Sequence, residues 1–533
     1  MNAWKWLALL GALAAQLSFP PSFPPSFPPS SPPFSPAHRL VVRGIIALHN
    51  FEYEEANEAF QQARTLDPAE ALAYWGEAMT YNQTLWRNEN VAAGREALAR
   101  LGTTPDARAA KAPDPRTRAL LAAIDAFFGD GDAAARRQRY ADAMARVHTQ
   151  FPDDADIASF YALALLGTAS RSLIGNMDAH DRALAGSETQ RRVAAVLQRV
   201  LASHPNHPGA LHYLIHDYDD PDHARLALAA ARAYAKIASA SSHARHMPAH
   251  VFLQLGFWRE AAASDRAAYA ASNDWIKRKQ LGPAMRNYHA LEWLQYELLQ
   301  LGRYREAASL IDDLKWVVDA KGPLPLLSDW SSMRGRFVVE TRRWKDLAGE
   351  DNFGNVDDLF AIGVSTARTG ALDRAERVRQ TLAGRAAAEQ EGDLRPAIAI
   401  MERQVAGLIA LGSGRRDEAI VILRSAADSE VRLPAPLGLP QPVKPAPELL
   451  GEVLLEAGRP ADAQKAFEQA LRRNANRSLS VLGLARAAVA LGQPLAARKQ
   501  YQQLLANFDR ADSDLPEVKE ARAAVRASPG RRP

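Results

Sequence analysis

The sequence contains no cysteine in its 533 residues. This absence excludes disulfide bonds, thiolate metal ligands, a cysteine nucleophile and a lipidated N-terminal cysteine. After the N-terminus, no stretch approaches the roughly 18 uncharged apolar residues that a membrane-spanning helix requires. We therefore predict no transmembrane helix.

Familiar catalytic strings are also missing: the sequence has no HExxH, no GxSxG and no GxxxxGK[ST] phosphate loop. His212 and His216 share the i, i+4 spacing of a zinc-protease helix, but Tyr213 occupies the position of its glutamate. That mechanism is therefore excluded. The sequence leaves open whether the protein is an enzyme.

Charge is nearly balanced, with 65 Lys and Arg against 61 Asp and Glu and a net charge of +4. Basic residues alternate with acids along helical segments, which is typical of a solvated outer face. No basic stripe is interleaved with aromatics, so we predict no nucleic-acid partner.

The N-terminus has the pattern of an export signal. Lys5 supplies a positive charge, Trp6–Leu13 a short apolar run, and Ala12-Leu13-Ala14 a small-x-small cleavage pattern. We predict a signal peptide over residues 1–15 and a periplasmic or secreted protein. Residues 16–37, with SFPP three times, predict a low-complexity Pro/Ser/Phe linker.

From about residue 38 the pattern is helical and repeats itself. The motif YEEANEAFQQARTLDP (Tyr53–Pro68) recurs in outline as WREAAASDRAAYAAS, YREAASLIDDL and PADAQKAFEQALRRN, each after a turn that ends in glycine. These repeats resemble the tetratricopeptide (TPR) family, which has a period of about 34 residues. The resemblance implies an all-α, TPR-like helical-hairpin solenoid, a right-handed superhelix with a concave groove. It extends over residues 38–510, and we predict a C-terminal helix and disordered tail over 511–533.

Residues 102–116 and 432–447 are rich in proline and interrupt the repeats. The second segment precedes a predicted helix that carries Glu448 and Glu452. Two interpretations remain open for it. It is either a plain connector or a structured loop that folds over the groove.

Nine of the 13 histidines fall between His204 and His289. Residues four apart, or three and seven apart, lie on one face of a helix. The TPR resemblance places three successive inner helices side by side here, and packed helices lie about 8–10 Å apart. Imidazole suits zinc, copper, iron or nickel. We therefore predict metal ligation by the histidines that share this face: His212, His216, His243, His246, His250 and His289.

Further polar residues are candidates for the same groove. Asp219, Glu292 and Tyr296 can act as ligands or can orient the ring nitrogens. In the segment Ala73–Trp86, Trp75 and Asn82 take groove positions on the TPR frame, although aromatics at helical spacing usually pack in a core. A protein or peptide partner, or a small ligand, is the predicted occupant.

Three interpretations of the histidines stay open: a metal or catalytic site, a ligand groove without metal, and structural histidines. His223, close to a turn, fits the structural interpretation. Pro248 would displace His243 from the shared face if it interrupted the helix.

The leading hypothesis for the function is an exported binding or scaffolding module whose histidine-rich groove, residues 204–300, holds a metal ion or a small polar ligand. The alternatives are a metal-dependent enzyme that uses the same cluster and a protein-assembly scaffold. The strings AYWGEAMTYN, HPGALHYLIH and HMPAHVFLQLGFW resemble those of exported bacterial TPR proteins. That resemblance supplies an architecture and no chemistry.

Overall fold

The computed structural model describes residues 35–168, 187–237, 241–320, 324–389, 394–433, 436 and 438–526. The predicted signal peptide, most of the predicted linker and the end of the tail lie outside the described residues. Within these ranges the chain forms 25 α-helices, which in chain order are α1 (Pro36–His49), α2 (Tyr53–Leu66), α3 (Ala71–Thr80), α4 (Val91–Leu101), α5 (Pro105–Ala109), α6 (Pro115–Phe127), α7 (Ala133–Gln150), α8 (Ala155–Thr168), α9 (Glu188–Ser203), α10 (Pro208–Asp217), α11 (Ala224–Ile237), α12 (Ser242–Gln254), α13 (Trp258–Lys279), α14 (Tyr288–Gln300), α15 (Tyr304–Asp319), α16 (Leu324–Thr341), α17 (Val356–Arg368), α18 (Leu372–Ala388), α19 (Leu394–Gly412), α20 (Arg416–Arg432), α21 (Ala446–Glu456), α22 (Pro460–Arg473), α23 (Ser478–Ala490), α24 (Pro494–Asn507) and α25 (Pro516–Arg526).

The predicted all-α helical-hairpin array is confirmed. In the described residues the only sheet consists of two short antiparallel strands, β1 (Asn82–Gln83) and β2 (Asn88–Glu89). None of the described helices is long and apolar enough to cross a membrane. Pro248 lies inside α12 without ending the helix, so His243 keeps its predicted helical position.

Glycine turns join the helices of several hairpins. Gly256 and Gly302 both have φ of 67°, and Gly458 and Gly492 have φ of 69° and 68°. These backbone angles are left-handed, a conformation that glycine adopts without the steric cost of a side chain. The turns that end in glycine in the sequence are therefore the points at which the chain reverses between paired helices.

Inner and outer helices alternate along the chain. In α14, eleven of 13 residues are buried, whereas in α15 only four of 16 are buried, at Ala307, Leu310, Leu314 and Val317. Helices two apart in the chain, such as α10 and α12 or α14 and α16, also contact each other. An outer helix thus needs one apolar stripe, while an inner helix is enclosed on nearly every side.

Phenylalanine rings fill the space between successive inner helices. Phe467 of α22 lies between Gly451 of α21 and Gly483 of α23, and a Cβ added at Gly483 would lie 2.3 Å from the ring. Phe60 takes the same place between Gly44 and Gly76 near the N-terminus. Each glycine lies opposite the ring because no side chain fits there.

The array winds so that distant repeats touch. Trp275, near the end of α13, donates to Glu55 of α2 at 2.7 Å across 220 positions of sequence. Trp258, at the start of the same helix, donates to the carbonyl of Asn476 at 2.9 Å across 218 positions. Helix α13 is therefore held between the first and the last repeats, and the histidine-rich helices around it lie in the middle of the superhelix.

We predict opposite effects for two glycine substitutions. Gly483→Ala should lower the free energy of unfolding by about 1–3 kcal/mol, because the new methyl group overlaps the Phe467 ring. Gly384→Ala, in α18 with nothing within 4 Å, should raise it by about 0.5–1 kcal/mol through helix propensity alone. Urea unfolding followed by circular dichroism measures both. Equal stability of the Gly483→Ala variant and the wild type would contradict the close packing around Phe467.

Candidate metal centre

The six predicted histidines fall into two groups of three. The first triad is His212 and His216 of α10 with His243 of α12, and the second triad is His246 and His250 of α12 with His289 of α14. Within each triad, one nitrogen from each ring lies within 4.8 Å of the others. The predicted shared face therefore exists, and it divides between neighbouring helices.

In the second triad the Nε2 atoms point at one another. Nε2 of His246 lies 3.0 Å from Nε2 of His250 and 3.1 Å from Nε2 of His289. His246 and His250 are only 2% and 5% exposed, while the ring of His289 reaches solvent. The triad is thus closed on two sides and accessible at His289.

Two buried carboxylates orient the second triad. Nδ1 of His246 lies 2.5 Å from Oδ1 of Asp265, and Nδ1 of His250 lies 2.6 Å from Oδ2 of Asp219. A carboxylate only accepts, so each Nδ1 carries the hydrogen and each Nε2 of the neutral rings is left with a lone pair. Such a carboxylate behind a histidine is the usual outer partner of a metal-ligating imidazole.

The Nε2 atoms of His246 and His250 face each other. Two nitrogen lone pairs 3.0 Å apart, on Nε2 of His246 and His250, repel unless a proton or a metal ion lies between them. Burial lowers the pKa of His246 well below its usual value. Burial also opposes a charge on His250, but the Asp219 carboxylate outweighs it and raises the pKa. Of these two rings, His250 is therefore the one on which a positive charge is favoured.

Glu297 is a second buried acid that interacts with Asp265. Asp265 and Glu297 are both 0% exposed, and burial raises the pKa of both carboxyl groups. Their mutual interaction raises the pKa of Glu297 further and offsets only part of the rise in the pKa of Asp265. In the sequence, Asp265 could have been noticed as the one acid in the buried stripe of α13.

In the first triad, a neutral backbone carbonyl takes the place of the carboxylate behind the ring of His212. Nδ1 of His212 donates to the backbone carbonyl of His49 at 2.7 Å, so its Nε2 is free of hydrogen and faces Nε2 of His243 at 3.2 Å. The His216 ring lies 4.9 Å from that of His212 and 6.0 Å from that of His243, centroid to centroid. Burial lowers the pKa of His212 to about 3, so this ring is neutral at neutral pH.

Aromatic side chains enclose both triads. Phe51, in the loop after α1, lies 4.4 Å from the His212 ring and 5.5 Å from that of His243, and its φ of 58° is left-handed. Trp293 of α14 lies 4.6 Å from the ring of His250. A non-glycine residue with a left-handed φ is strained and is held by its surroundings. The strain at Phe51 therefore coincides with its position against the first triad.

The proline-rich segment 432–447 contacts the second triad's surroundings. Gln254 of α12 donates to the carbonyl of Pro436 at 3.1 Å, and the Gly438 backbone packs against Trp293, whose ring a Cβ would meet at 2.7 Å. Of the two interpretations of this segment, the described part fits the structured loop over the inner helices.

Sequence reasoning missed a third cluster, which links His49, Asp156 and His207. Both Nε2 atoms lie near Oδ1 of Asp156, at 3.0 Å for His49 and 3.2 Å for His207. Nδ1 of His207 accepts from the Ala210 N–H at 3.1 Å, and Nδ1 of His49 bonds the Tyr213 hydroxyl at 3.0 Å. All four ring nitrogens are engaged, so this cluster is a structural network that holds the His49 carbonyl against the first triad.

The other predicted site residues, Asp219, Glu292 and Tyr296, have different surroundings. Asp219 positions His250, as described above, and its Oδ1 has no hydrogen-bond partner among the described residues. Glu292, half-buried on the same helix as His289, has a pKa raised to about 7 by burial. Tyr296 instead accepts from Arg477 at 3.2 Å. Arg477 also pairs with Glu448 at 2.8 Å, in a buried ion network of the C-terminal repeats.

Trp75 and Asn82 lie in the N-terminal core. Trp75 is 1% exposed and packs edge-on against Phe160 at 5.6 Å. Oδ1 of Asn82 accepts from the Thr84 hydroxyl at 2.6 Å. The structure thus places these two residues in packing and turn contacts. His223 bonds Asp220 at 2.7 Å, in agreement with its structural interpretation.

The paired helices with buried inner members define a helical-repeat protein. Residues 454–525 match the model of the tetratricopeptide repeat family. Residues 454–525 are therefore similar to tetratricopeptide repeats, in agreement with the prediction for this part of the chain, and repeats of this kind generally present binding surfaces. No curated protein matches the chain.

Several solved structures are similar to the chain. A tetratricopeptide repeat protein from Parabacteroides merdae has 13% identity and a TM-score of 0.30 over 54% of this chain and 99% of that chain. The APC/C hetero-tetramer Cut9–Hcn1 has 12% identity and a TM-score of 0.29 over 92% and 97%. Yeast Tom70 has 13% identity and a TM-score of 0.27 over 92% and 95%. Likenesses at this level say nothing about what this chain binds.

The Asp156 network yields a pH prediction. Burial opposes the charge on Asp156, but the bonds from His207 and His49 outweigh it, so the folded pKa lies below the ordinary 3.8. A depressed pKa stabilises the fold above the ordinary value, and this stabilisation is lost as the pH falls through the folded value. Asp156→Asn, which keeps the acceptor oxygen, should cost about 1–3 kcal/mol at pH 7.

The test is urea unfolding of the wild type and the Asp156→Asn variant between pH 3 and pH 7. The wild-type advantage should be constant above about pH 5 and should shrink below the ordinary carboxyl pKa. An advantage that does not change with pH would contradict an ionised Asp156.

Proposed function

We propose that the protein is a metal-binding repeat protein whose second triad, His246, His250 and His289, holds a transition-metal ion. The observation that carries the proposal is the pair of fixed rings. His246 and His250 each give their Nδ1 hydrogen to a buried carboxylate, and both turn Nε2 to one point. This arrangement leaves nitrogen donors where a cation removes their repulsion.

The chemistry of the donors selects the class of ion. Neutral imidazoles suit zinc, copper, iron or nickel, whereas magnesium and calcium prefer oxygen. Tetrahedral metal–nitrogen bonds of about 2.0–2.1 Å require only small outward shifts of the Nε2 atoms, which now lie 3.0–3.1 Å apart. Three protein ligands leave a further coordination position, and the exposed ring of His289 marks the side from which a small ligand reaches it.

The inner helices favour a small occupant over a long peptide. In α12, ten of 13 residues are buried, and eleven of 13 are buried in α14, so little surface remains along these helices for an extended chain. A protein partner at another face of the repeats, where such proteins commonly bind, is compatible with this proposal.

One observation favours a second candidate, a metal-dependent enzyme. Catalytic zinc sites combine three protein ligands with a water at the open position, whereas structural sites are closed by four. His289 provides a solvent-accessible side to the second triad. Export, by contrast, remains a prediction from the N-terminal sequence.

We predict that wild-type protein, stripped with a chelator and reloaded, retains a first-row transition metal that the His246→Gln/His289→Ala variant does not retain. The reason is the loss of two of three nitrogen donors. Elemental analysis after dialysis measures retention, and a metal-dependent rise in melting temperature reports binding to the folded state.

The matched control is His204→Ala, since His204 lies at the end of α9 and bonds Ser203. It should load like the wild type. Wild-type protein that retains no more metal than the double variant would overturn the proposed function.

The carboxylates behind the rings give a separate prediction. Asp219→Asn should weaken metal affinity about 10–100-fold with unchanged occupancy at saturation, because the outer partner orients His250 and raises its basicity. Asp222→Asn, an exposed neighbour, serves as the control. Competition against a chromophoric chelator measures affinity. A loss of stability without a change in affinity would show that Asp219 has only a structural role.

A further inference from the structure

We infer that the two histidine triads form one dinuclear metal centre, in which the first triad holds a second ion beside that of the second triad and both ions share a small oxygen ligand. The inference rests on the proposed function and adds a second ion and a bridging ligand to it. It assigns His212, His216 and His243 as the second set of ligands.

Helix α12 joins the two triads. His243 belongs to the first triad, and His246, three residues later, belongs to the second. Residues three apart are neighbours on a helix, with Cβ atoms about 5–6 Å apart. The two triads therefore adjoin along one helix, and the proposal places their ions at the separation of known two-metal sites, about 3.5–4 Å.

The two triads share one design. In the first, His212 gives its Nδ1 hydrogen to the His49 carbonyl and turns Nε2 to His243. In the second, His246 and His250 do the same with carboxylates. A structural histidine needs only a partner for its polar atoms. Three rings fixed from behind, with their other nitrogens turned inward to two adjacent points, form a donor set for cations.

The two proposed ion positions differ in the groups behind their histidines, and aromatic rings lie beside both. The second triad has Asp219 and Asp265 behind it, whereas the first has a neutral carbonyl. The second triad should therefore fill first. Phe51 and Trp293 lie against the first and the second triad respectively, and the proposal accordingly assigns a hydroxide-sized oxygen donor as the bridging ligand.

The experiment titrates metal-free full-length protein with Cu(II) and follows bound copper by elemental analysis and electron paramagnetic resonance. Wild-type protein should bind two ions in succession. The signal should grow with the first ion and fall with the second, because two copper ions that share an oxygen ligand couple their spins. His212→Ala/His216→Ala should stop at one ion with the signal of an isolated copper.

The controls separate the possible failures. His204→Ala should behave like the wild type, and His246→Gln/His289→Ala should lose the tighter ion. If His212→Ala/His216→Ala does not fold by circular dichroism, the half-buried His216→Asn replaces it, with the same expected loss of the second ion. Absence of bound copper in the wild type would overturn the proposed function itself. A single ion in the wild type, or two ions with simply additive signals, would overturn the dinuclear centre and leave the proposed function standing.

Discussion

The interior of the protein depends on contacts between parts of the superhelix that are distant in sequence. Once α13 is held between Glu55 on one side and Asn476 on the other, the inner helices have almost no surface left for water. A buried polar group without a partner is costly. Many of their polar atoms are therefore paired with one another or with backbone groups of distant repeats, as Nδ1 of His212 is with the carbonyl of His49.

Much of the architecture could be predicted from the sequence, because helical periodicity and the glycine turns are local signals. The histidine spacing was also informative, since residues three, four and seven apart share a helix face whatever surrounds them. The division into two triads could not be predicted. It depends on which ring of α12 meets α10 and which meets α14, and only packed coordinates decide that.

The residues that sequence reasoning missed act across long separations. Phe51 reaches the first triad from a loop more than 160 positions away, and Asp156 binds His49 across 107 positions. Nothing local marks such residues. Trp75 shows the converse: the repeat frame made it a groove candidate, whereas its contact with Phe160 agrees with the alternative role in core packing.

The site combines residues from distant parts of the chain, and this affects how the repeat array folds. Repeat proteins commonly behave as one-dimensional chains in which each unit is stabilised only by its neighbours, so that the ends can fray independently. Here the surroundings of the histidines combine the loop at Phe51, helices α10 to α14 and the segment at Gly438. Occupation of the site would therefore link the stability of the two ends of the chain, and an ordinarily modular array would melt as one cooperative unit.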